Sequence, residues 1–458
     1  MKIVVCVRFG IDGEIGPFDA SAYETALQIE GAEITLLSMG APSVGERLLQ
    51  LTRLGAARAI LLSDKAFAAA DTLATAKTLA AAVKRLSPDL VICGRQTLVG
   101  DTAQTGPMLA YFAGLSLITN VMSIDMLSDR EMTATTRMEE RVCASFPALI
   151  TVERINTLRL PRMRSKIGEI EVLGIDALSL TASECGLLGS PTRVVQTFEN
   201  QSGKRKCKRI GYGELDTAIQ DGLRRYLAKT QIKTASEERL ARVCTVGEAP
   251  VEFAKTVSDD VTILPFTDAD ELCRRITACS PTAVLWGSDD ASKRMAAIVA
   301  ARLNLGLCAD CTRLEAENGE LMMYRPALSG STIAKIRSTT RPAMATVRTA
   351  SGGKRDVVIG AGFGVRNDLE RVYALAERLD AEVVTSRKMV DNGILPYPLQ
   401  LGLTGKTLHP PVYIAIGISG AIHHVAGMQN AGTVIAINPD PDAPIFEYAD
   451  YGIVDCFR

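Results

Sequence analysis

The sequence predicts an α/β protein built from doubly wound, mostly parallel sheets, two of them pseudo-symmetric. Short apolar runs such as MKIVVCV, AEITLLSM and DLVICG are typical of strands that are buried on both faces. They alternate with segments such as TLATAKTLAAAVKRL, whose apolar residues recur every three or four positions as in a covering helix. This alternation, repeated along most of the chain, indicates parallel sheets with helices on both faces.

Two to four domains are expected, because a single hydrophobic core does not grow to 458 residues. The stretches DLVICGRQTLVGDTAQTGPMLAYFAGL and TAVLWGSDDASKRMAAIVAARLNLGL share a layout, which indicates two related halves. The alternation of strand-like and helix-like segments stops between residues 154 and 212. This span is polar and basic, and we interpret it as loop, arm and linker. A second polar stretch, TASGGKRD, precedes VVIGAGFGV. The predicted domains are residues 1–210, 211–350 and 351–458.

The composition limits the classes of partner. With 51 basic and 52 acidic side chains, the chain gives no electrostatic reason to expect nucleic acid or an anionic membrane surface. No segment approaches the roughly 20 uninterrupted apolar residues of a membrane-spanning helix. Eleven scattered cysteines suit free thiols in a reducing compartment, so a cytoplasmic location is expected. Cys308 and Cys311 form a CxxC without a second pair, which favours structural thiols over a metal site.

One polar loop follows the predicted strand DLVICG. Its sequence DTAQTGP contains Asp101, Thr102 and Gln104, which could hold a ribose or phosphate at the carboxyl end of that strand. A merely structural loop explains the bare pattern equally well.

Two glycine-rich turns lie in the last hundred residues. VVIGAGFGV is a strand followed by a turn suited to a phosphate, but Val365 occupies the last glycine position of the dinucleotide fingerprint. GISGAIHH follows the apolar run VYIAIG and places Ser419 at a predicted helix start, with His423 and His424 in the first turn. These two histidines could be one exposed and one core residue, or one could lie against a cofactor. TGKT is not a P-loop, because Gln400 stands where that motif needs glycine.

Longer ordered stretches carry a resemblance to a known family. TSR at 385–387, QLGLTGKT at 400–407, GISGAIHHVAGM at 417–428 and YADYGIVD at 448–455 resemble the flavin domain of the α subunit of electron transfer flavoproteins. LTRLGAARAILLSD, CGRQTLVGDTAQTGPMLA and GLLGSPTRV resemble the β subunit. The chain is therefore similar to a single-chain β–α fusion. The resemblance implies two adenine-nucleotide-hydrolase-like sheets and a flavodoxin- or Rossmann-like FAD domain.

The resemblance also implies how FAD is held in the C-terminal domain. Ser386 and Arg387 would lie along the flavin, Thr404 would bond near its N5, and His424 would face its pyrimidine ring. The other implied FAD contacts are the turn Gly360 and Gly362, the loop Gln400, Gly402, Gly405 and Lys406, the pyrophosphate cradle Ser419, Gly420 and Ala421, and Asn438 and Asp450 at the adenosine end.

A second nucleotide is implied in the β-like half. It would be held by Val5, Val7, Gly94, Asp101, Thr102, Gln104 and Thr105. In plain family members this nucleotide is AMP, and in electron-bifurcating members it is a second FAD. The chain departs from the family at Ala361, where an arginine is usual, and at Leu403, where a glutamine is usual. Both changes lie in stretches that resemble flavin contacts.

The expected function is an electron carrier rather than a substrate-converting enzyme. FAD would carry electrons from a dehydrogenase resembling the acyl-CoA dehydrogenases to an acceptor such as a quinone oxidoreductase or ferredoxin. One alternative is an NADH-oxidising, electron-bifurcating flavoprotein, and another is a non-redox nucleotide-binding protein that has drifted from the family. A fusion supplies both halves of the usual heterodimer, which is compatible with a monomer.

Overall fold

The computed structural model of the chain describes all residues except 11–12, 98–99, 101, 200–203, 230–237, 328–331, 349–355, 403–404, 407 and 409. The chain forms two compact units. The first comprises Met1–Thr197, Ser236–Leu328 and Ala334–Val347, and the second Phe198–Ala235, Ser329–Ile333 and Arg348–Arg458. Within the described residues, no helix combines the length and the apolar character needed to cross a membrane.

The described residues form 24 strands. In chain order they are β1 (Lys2–Cys6), β2 (Glu33–Met39), β3 (Arg58–Leu62), β4 (Leu90–Gly94), β5 (Ser116–Leu127), β6 (Glu131–Thr136), β7 (Arg141–Ser145), β8 (Ala148–Val152), β9 (Glu169–Leu173), β10 (Thr192–Glu199), β11 (Lys208–Arg209), β12 (Val243–Val246), β13 (Val261–Leu264), β14 (Ala283–Trp286), β15 (Leu307–Cys311), β16 (Arg313–Glu317), β17 (Glu320–Ala327), β18 (Thr332–Ser338), β19 (Ala343–Val347), β20 (Val357–Ala361), β21 (Glu382–Thr385), β22 (Val412–Ile416), β23 (Thr433–Ile437) and β24 (Tyr451–Ile453).

Eleven α-helices lie between these strands in the described part of the chain. They are α1 (Pro17–Leu27), α2 (Gly45–Leu51), α3 (Thr72–Leu86), α4 (Thr105–Ala113), α5 (Leu215–Lys229), α6 (Val251–Val257), α7 (Ala269–Cys279), α8 (Asp290–Leu303), α9 (Leu369–Arg378), α10 (Arg387–Asp391) and α11 (Ile422–Met428).

The first unit contains the two predicted pseudo-symmetric halves. Its nine-stranded sheet has the order β7-β6-β5-β8-β4-β1-β2-β3-β9, and its five-stranded sheet has the order β13-β12-β14-β19-β15. The run β5-β8-β4-β1-β2 in the first sheet matches the run β15-β19-β14-β12-β13 in the second, which confirms the predicted relationship. A four-stranded sheet of order β10-β18-β17-β16 completes the unit.

Both faces of the nine-stranded sheet are covered. Val4 packs into one hydrophobic cluster, and its neighbours Ile3 and Val5 pack into another, because successive strand side chains point to opposite faces. Because β1 is buried on both faces, its residues are apolar at successive positions, and this is the pattern that predicts the strand.

The span 154–212, interpreted as loop and linker, contains three strands. β9 pairs in parallel with β3 at the edge of the nine-stranded sheet, and of its five residues only Leu173 is buried. An edge strand with so little burial lacks the apolar run that identifies the central strands. β11 pairs with β24, and residues 198–235 belong to the second unit, so the predicted boundary at 210 falls inside this segment.

The second unit is built on a six-stranded sheet of order β11-β24-β23-β22-β20-β21, with parallel pairing throughout. From β20 the chain first crosses to β21 on one side, and it then returns to β22 on the other side. The strand order therefore reverses between β20 and β22, and open α/β sheets bind ligands at the carboxyl ends of such strands. The doubly wound fold class is confirmed in both units.

Candidate nucleotide-binding sites

A cavity of about 680 Å³ lies in the first unit, at the carboxyl ends of its central strands. Its lining includes Cys6 at the end of β1, Arg8 just after β1, Gly40 after β2, Ser63 after β3 and Gly94 at the end of β4. Because β4 and β2 lie on opposite sides of β1, the strand order reverses here too. The volume falls within the range of pockets that take small molecules and cofactors.

The structure gathers several of the residues predicted for the second nucleotide at this cavity. Val7, Gly94, Thr102 and Thr105 line it. Val5 instead lies in the core, with no exposed surface. Asp101 lies outside the described residues.

Gln104 has a more unusual environment. The residue immediately precedes α4, its side chain makes no capping hydrogen bond, and it is only 1% exposed. Neither its amide oxygen nor its amide nitrogen has a hydrogen-bond partner in the described structure. A buried amide with both ends unpaired is costly, so a polar group that is supplied from outside the chain would stabilise this position.

The sequence analysis did not identify Asp19 as a cavity residue. Asp19 lies in the first turn of α1, is 5% exposed and lines the cavity. Its Oδ2 accepts a hydrogen bond of 2.9 Å from the backbone N–H of Arg8. Burial raises the pKa of Asp19 to about 7, although the backbone N–H group and the charge of Arg8 oppose this shift. A signal was present in the sequence, because Pro17 at the helix start followed by an acidic residue is typical of a first helical turn.

The glycines at the end of β20 and just after it lie in a tightly packed region of the second unit. Gly360 lies beside Tyr413 of β22, and a Cβ at Gly360 would stand 1.8 Å from the phenolic oxygen. Gly362 and Gly364 lie against the backbone of Gly417, which begins the loop after β22. The predicted turn residues therefore hold the ends of β20 and β22 close together.

The end of β21 is tied to the end of β20. The Thr385 hydroxyl and the Ser386 backbone N–H both donate to the carbonyl of Ala361, at 3.0 and 3.1 Å. The Ser386 Oγ atom is buried and has no hydrogen-bond partner in the part of the chain that the structure describes. Ser386 therefore offers an unsatisfied hydroxyl at the carboxyl edge of the sheet.

The loop that contains Gln400 and Lys406 continues from this edge. Leu401 N–H donates to the Thr385 carbonyl at 2.9 Å, and Lys406 N–H donates to the Gln400 carbonyl at 2.8 Å. Gly405 lies against Gln400, and Gly402 packs against the backbone of α11 next to His423. The structure thus brings this loop, β21 and α11 together, and Thr404 lies outside the described residues.

Two cations of this region have acidic neighbours. The Arg387 guanidinium lies 3.3 Å from Asp391, and the Lys406 ammonium lies 3.6 Å from Glu382. All four side chains keep some exposure to solvent, so each pair contributes only about 0–1 kcal/mol. The weak pair with Glu382 leaves the Lys406 ammonium able to turn toward a bound anion.

His424 lies on α11 and is 7% exposed, whereas the adjacent His423 is half-buried. Its Nε2 atom lies 2.8 Å from the Tyr413 hydroxyl oxygen. Its Nδ1 atom is buried and has no hydrogen-bond partner among the described residues. Burial lowers the pKa of His424 to about 4, so the ring is neutral at pH 7.

The residues predicted for the phosphate end differ in exposure. Ser419 and Ala421 are exposed, which suits contact with a ligand. Gly420 between them has φ +93°, and its missing Cβ would lie 2.1 Å from the backbone nitrogen of Ile445. Glycine is therefore required at 420 for conformation and for space.

Asn438 and Asp450, predicted at the adenosine end, make hydrogen bonds within the protein. The Asn438 Nδ2 atom donates to the Ile418 carbonyl at 2.9 Å. Asp450 accepts a bond of 2.8 Å from the Val434 N–H and pairs with Arg205. Asn438 follows β23, so its side chain braces the loop after β22 at the carboxyl edge of the sheet. Asp450 precedes β24 and lies beside the start of β23, so it braces the opposite, amino edge.

Comparison with known families agrees with this architecture. A family model described as "Electron transfer flavoprotein domain" matches residues 3–178 and 256–356, more than half of the chain. A second model, "Electron transfer flavoprotein FAD-binding domain", matches residues 353–429. The chain belongs to the electron transfer flavoprotein family, and it carries the FAD-binding domain of that family.

Relatives of both subunit types match this chain. The α subunit of the electron transfer flavoprotein of Thermoanaerobacterium thermosaccharolyticum is 38% identical over 225 residues, covering 39% of this chain and 68% of the relative. The β subunit of the same organism is 33% identical over 226 residues, covering 47% of this chain and 86% of the relative. The LctC subunit of the lactate dehydrogenase (NAD(+),ferredoxin) of Acetobacterium woodii is 35% identical over 224 residues. That match covers 39% of this chain but only 54% of LctC.

These matches to both subunit types in one polypeptide identify a β–α fusion. The residues of the second unit also fit FAD on structural grounds. The unpaired Ser386 Oγ and His424 Nδ1 atoms are buried polar positions that a polar cofactor could satisfy, and both fall inside the match to the FAD-binding domain.

Proposed function

We propose that this protein is an electron carrier that holds FAD in its second unit and passes electrons from a dehydrogenase to an acceptor protein. The observation that carries this proposal is the pair of unsatisfied buried atoms, Ser386 Oγ and His424 Nδ1, within the match to the FAD-binding domain. Bound FAD supplies the exchange of one or two electrons, which amino-acid side chains do not provide. The protein supplies binding, orientation and electrostatics.

The side chains of the second unit would have distinct roles. The positive charges of Arg387 and Lys406 would favour added negative charge on the cofactor. The backbone of Ser419, Gly420 and Ala421 would hold the pyrophosphate. His424, neutral at pH 7, would offer Nδ1 for a hydrogen bond, and a negative charge beside that atom would raise its pKa.

For the first unit we propose AMP as the occupant of the 680 Å³ cavity. Thr102 in the loop before α4 and Thr105 at the start of α4 supply hydroxyl groups. Arg8, Lys65 and Arg95 supply positive charge around the lining. AMP is redox-inactive, so the FAD of the second unit would then carry all the electrons, as in a plain electron carrier. The dehydrogenase partner would resemble the acyl-CoA dehydrogenases, and the acceptor would be a quinone oxidoreductase or ferredoxin.

One comparison favours a second function, NADH-driven electron bifurcation with a second FAD in the same cavity. The name of the LctC relative couples NAD(+) to ferredoxin. The cavity volume does not discriminate, because a nucleotide or part of a larger cofactor would fit. The alternative therefore depends on the identity of the bound nucleotide and on reactivity with NADH.

Anaerobic stopped-flow mixing with NADH separates these functions. A plain carrier should show negligible bleaching of the flavin absorbance within seconds. Rapid bleaching would replace the carrier proposal with bifurcation. If the protein is colourless and takes up no added FAD, both the carrier and the bifurcation proposals are refuted. The remaining proposal would then be a non-redox nucleotide-binding protein.

A further inference from the structure

The geometry assigns Tyr413 a positioning role. We propose that Tyr413 donates its phenolic proton to Nε2 of His424 and so holds the histidine proton on Nδ1, where it is offered to a hydrogen-bond acceptor of bound FAD. The second half of this inference rests on the proposed FAD binding in the second unit. The first half, the Tyr413–His424 arrangement, concerns the chain alone.

The structure makes specific room for the Tyr413 hydroxyl. Tyr413 lies on β22 opposite Val358 of β20 and has no exposed surface. Its phenol extends past Gly360, where a Cβ would stand 1.8 Å from the phenolic oxygen. Any other residue at 360 would displace the hydroxyl. The absence of a side chain at Gly360 therefore allows the Tyr413 hydroxyl to reach His424 on α11.

The hydroxyl has one partner among the described residues, Nε2 of His424, at 2.8 Å. Burial raises the pKa of Tyr413, so the phenol keeps its proton. If the phenol accepted a proton from Nε2, its own O–H donor would be buried without an acceptor. The Nδ1 atom of His424 would then also be buried as an acceptor without a donor, so two polar atoms would be unsatisfied. If the phenol donates, Nε2 is satisfied and only the Nδ1–H group lacks a partner within the described chain. Because each unsatisfied buried polar atom is costly, the donating arrangement, with one such atom rather than two, is favoured.

The direction of that bond fixes the tautomer of His424. In a neutral imidazole one nitrogen carries the proton and the other accepts a bond, so an accepting Nε2 leaves the proton on Nδ1. Burial keeps the ring neutral at pH 7. The Nδ1 atom is buried without a partner in the described chain, so it needs an acceptor from outside the chain. Metal-bound histidines are oriented in a comparable way, by the bond that the second ring nitrogen makes.

Nitrogen NMR of protein labelled with ¹⁵N-histidine tests the inference. The chain has three histidines, so the spectrum contains only three imidazole rings to assign. The proposal predicts that His424 of the FAD-free wild-type protein is neutral at pH 7 and protonated on Nδ1. Tyr413→Phe should shift His424 toward the Nε2-protonated form. A wild-type His424 protonated on Nε2, or a tautomer that Tyr413→Phe leaves unchanged, would overturn the inference.

FAD affinity gives a second readout on the whole chain. Tyr413→Phe should weaken FAD binding about 5-fold, the effect of one net hydrogen bond. Tyr451→Phe is the matched control, because Tyr451 is also a nearly buried phenol of the second unit, and its hydroxyl bonds to Asp221. We expect the control to keep the wild-type affinity and the His424 tautomer. Equal affinities in wild type and Tyr413→Phe would contradict the link between Tyr413 and the cofactor.

The two levels of the proposal fail in different ways. A wild-type protein that binds no FAD but shows an Nδ1-protonated His424 would refute the proposed function and leave the Tyr413–His424 arrangement intact. A wild-type protein that binds FAD with His424 protonated on Nε2 would refute the arrangement alone. The wild-type spectrum decides the latter even if Tyr413→Phe does not fold.

Discussion

Nη1 of Arg137 lies 3.0 Å from Oε1 of Glu153 in the interior of the first unit. The same carboxylate oxygen lies 2.9 Å from Nε of Arg95. The three side chains are 4–10% exposed, so one buried carboxylate balances two buried guanidinium groups. Arg137 also pairs with Asp290 at the start of α8, which extends the network from the nine-stranded sheet to the second half of the unit.

Replacing Glu153 by Gln should destabilise the first unit strongly. The change leaves Arg95 without a carboxylate and removes one of the two that serve Arg137. Breaking a buried ion pair in this way costs about 3–5 kcal/mol. We expect a lower melting temperature, measured by thermal unfolding of the full chain. The control is Glu171→Gln, because Glu171 pairs with Arg85 at 3.7 Å on the surface and should matter little. Equal effects of the two variants would contradict a dominant role for the buried network.

Gly420→Ala should lower FAD binding and the stability of the second unit. Alanine at φ +93° is strained, and its Cβ would collide with the backbone nitrogen of Ile445. Gly393→Ala is the control, since Gly393 has φ +67° but open space around it. We expect the control to lose only about 1–2 kcal/mol, the cost of a left-handed backbone, and to keep FAD. Matching losses in both variants would show that backbone strain, and not the contact with Ile445, controls this loop.

His424 should make the stability of the FAD-free protein depend on pH. Burial lowers its pKa to about 4 in the folded state, against 6.5 for the ordinary side chain. The unfolded chain therefore binds the proton first as the pH falls. The His424 contribution is fully present above pH 6.5 and is lost progressively toward pH 4, by up to about 3 kcal/mol. Urea unfolding at pH 7.5 and 5.0 should show this loss in wild type and a smaller one in His424→Gln.

The neighbouring His423 provides the control for that experiment. It is half-buried on the same helix, so His423→Gln should keep most of the wild-type pH dependence. If His424→Gln and wild type lose the same stability between the two pH values, the ring of His424 is not buried as a neutral group.

Asp19 should have the opposite dependence on pH. Burial raises its pKa from 3.8 to about 7, so the folded state holds the proton while the unfolded state releases it. The stability that comes from Asp19 is present below pH 4 and is lost as the pH rises to about 7. Asp19→Asn should therefore gain stability over wild type at pH 8 relative to pH 5. A constant difference between the two proteins across this range would argue that Asp19 is ionised in the fold.

The buried strands and the two related halves could be predicted from the sequence. Runs such as MKIVVCV are apolar at successive positions because β1 is covered on both faces, and that pattern is local. β9 was missed because its exposed edge position leaves it with one buried residue. The central strands were therefore predictable from composition, whereas the edge strand depended on pairing with β3.

The candidate site was predictable only in part. The loops of the second unit that hold Ser386, Lys406 and His424 come together in the structure, and their contact with FAD stays a prediction. The contact between Gly360 and Tyr413 depends on the register of β20 against β22, which nothing local in VYIAIG encodes. The burial of Asp19 likewise follows from how α1 packs over the ends of β1 and β4. Both features depend on strand register and on packing between residues that are distant in the sequence. Sequence motifs do not encode such contacts, so the sequence did not predict them.

The central claim, that the chain carries FAD as an electron transfer flavoprotein, is tested most directly by denaturing the purified protein and quantifying the released nucleotides per chain. Our account predicts one FAD and one AMP. Two FAD without AMP would overturn the proposed carrier role in favour of bifurcation. No FAD, in a protein that also fails to take it up when it is added, would contradict the central claim itself.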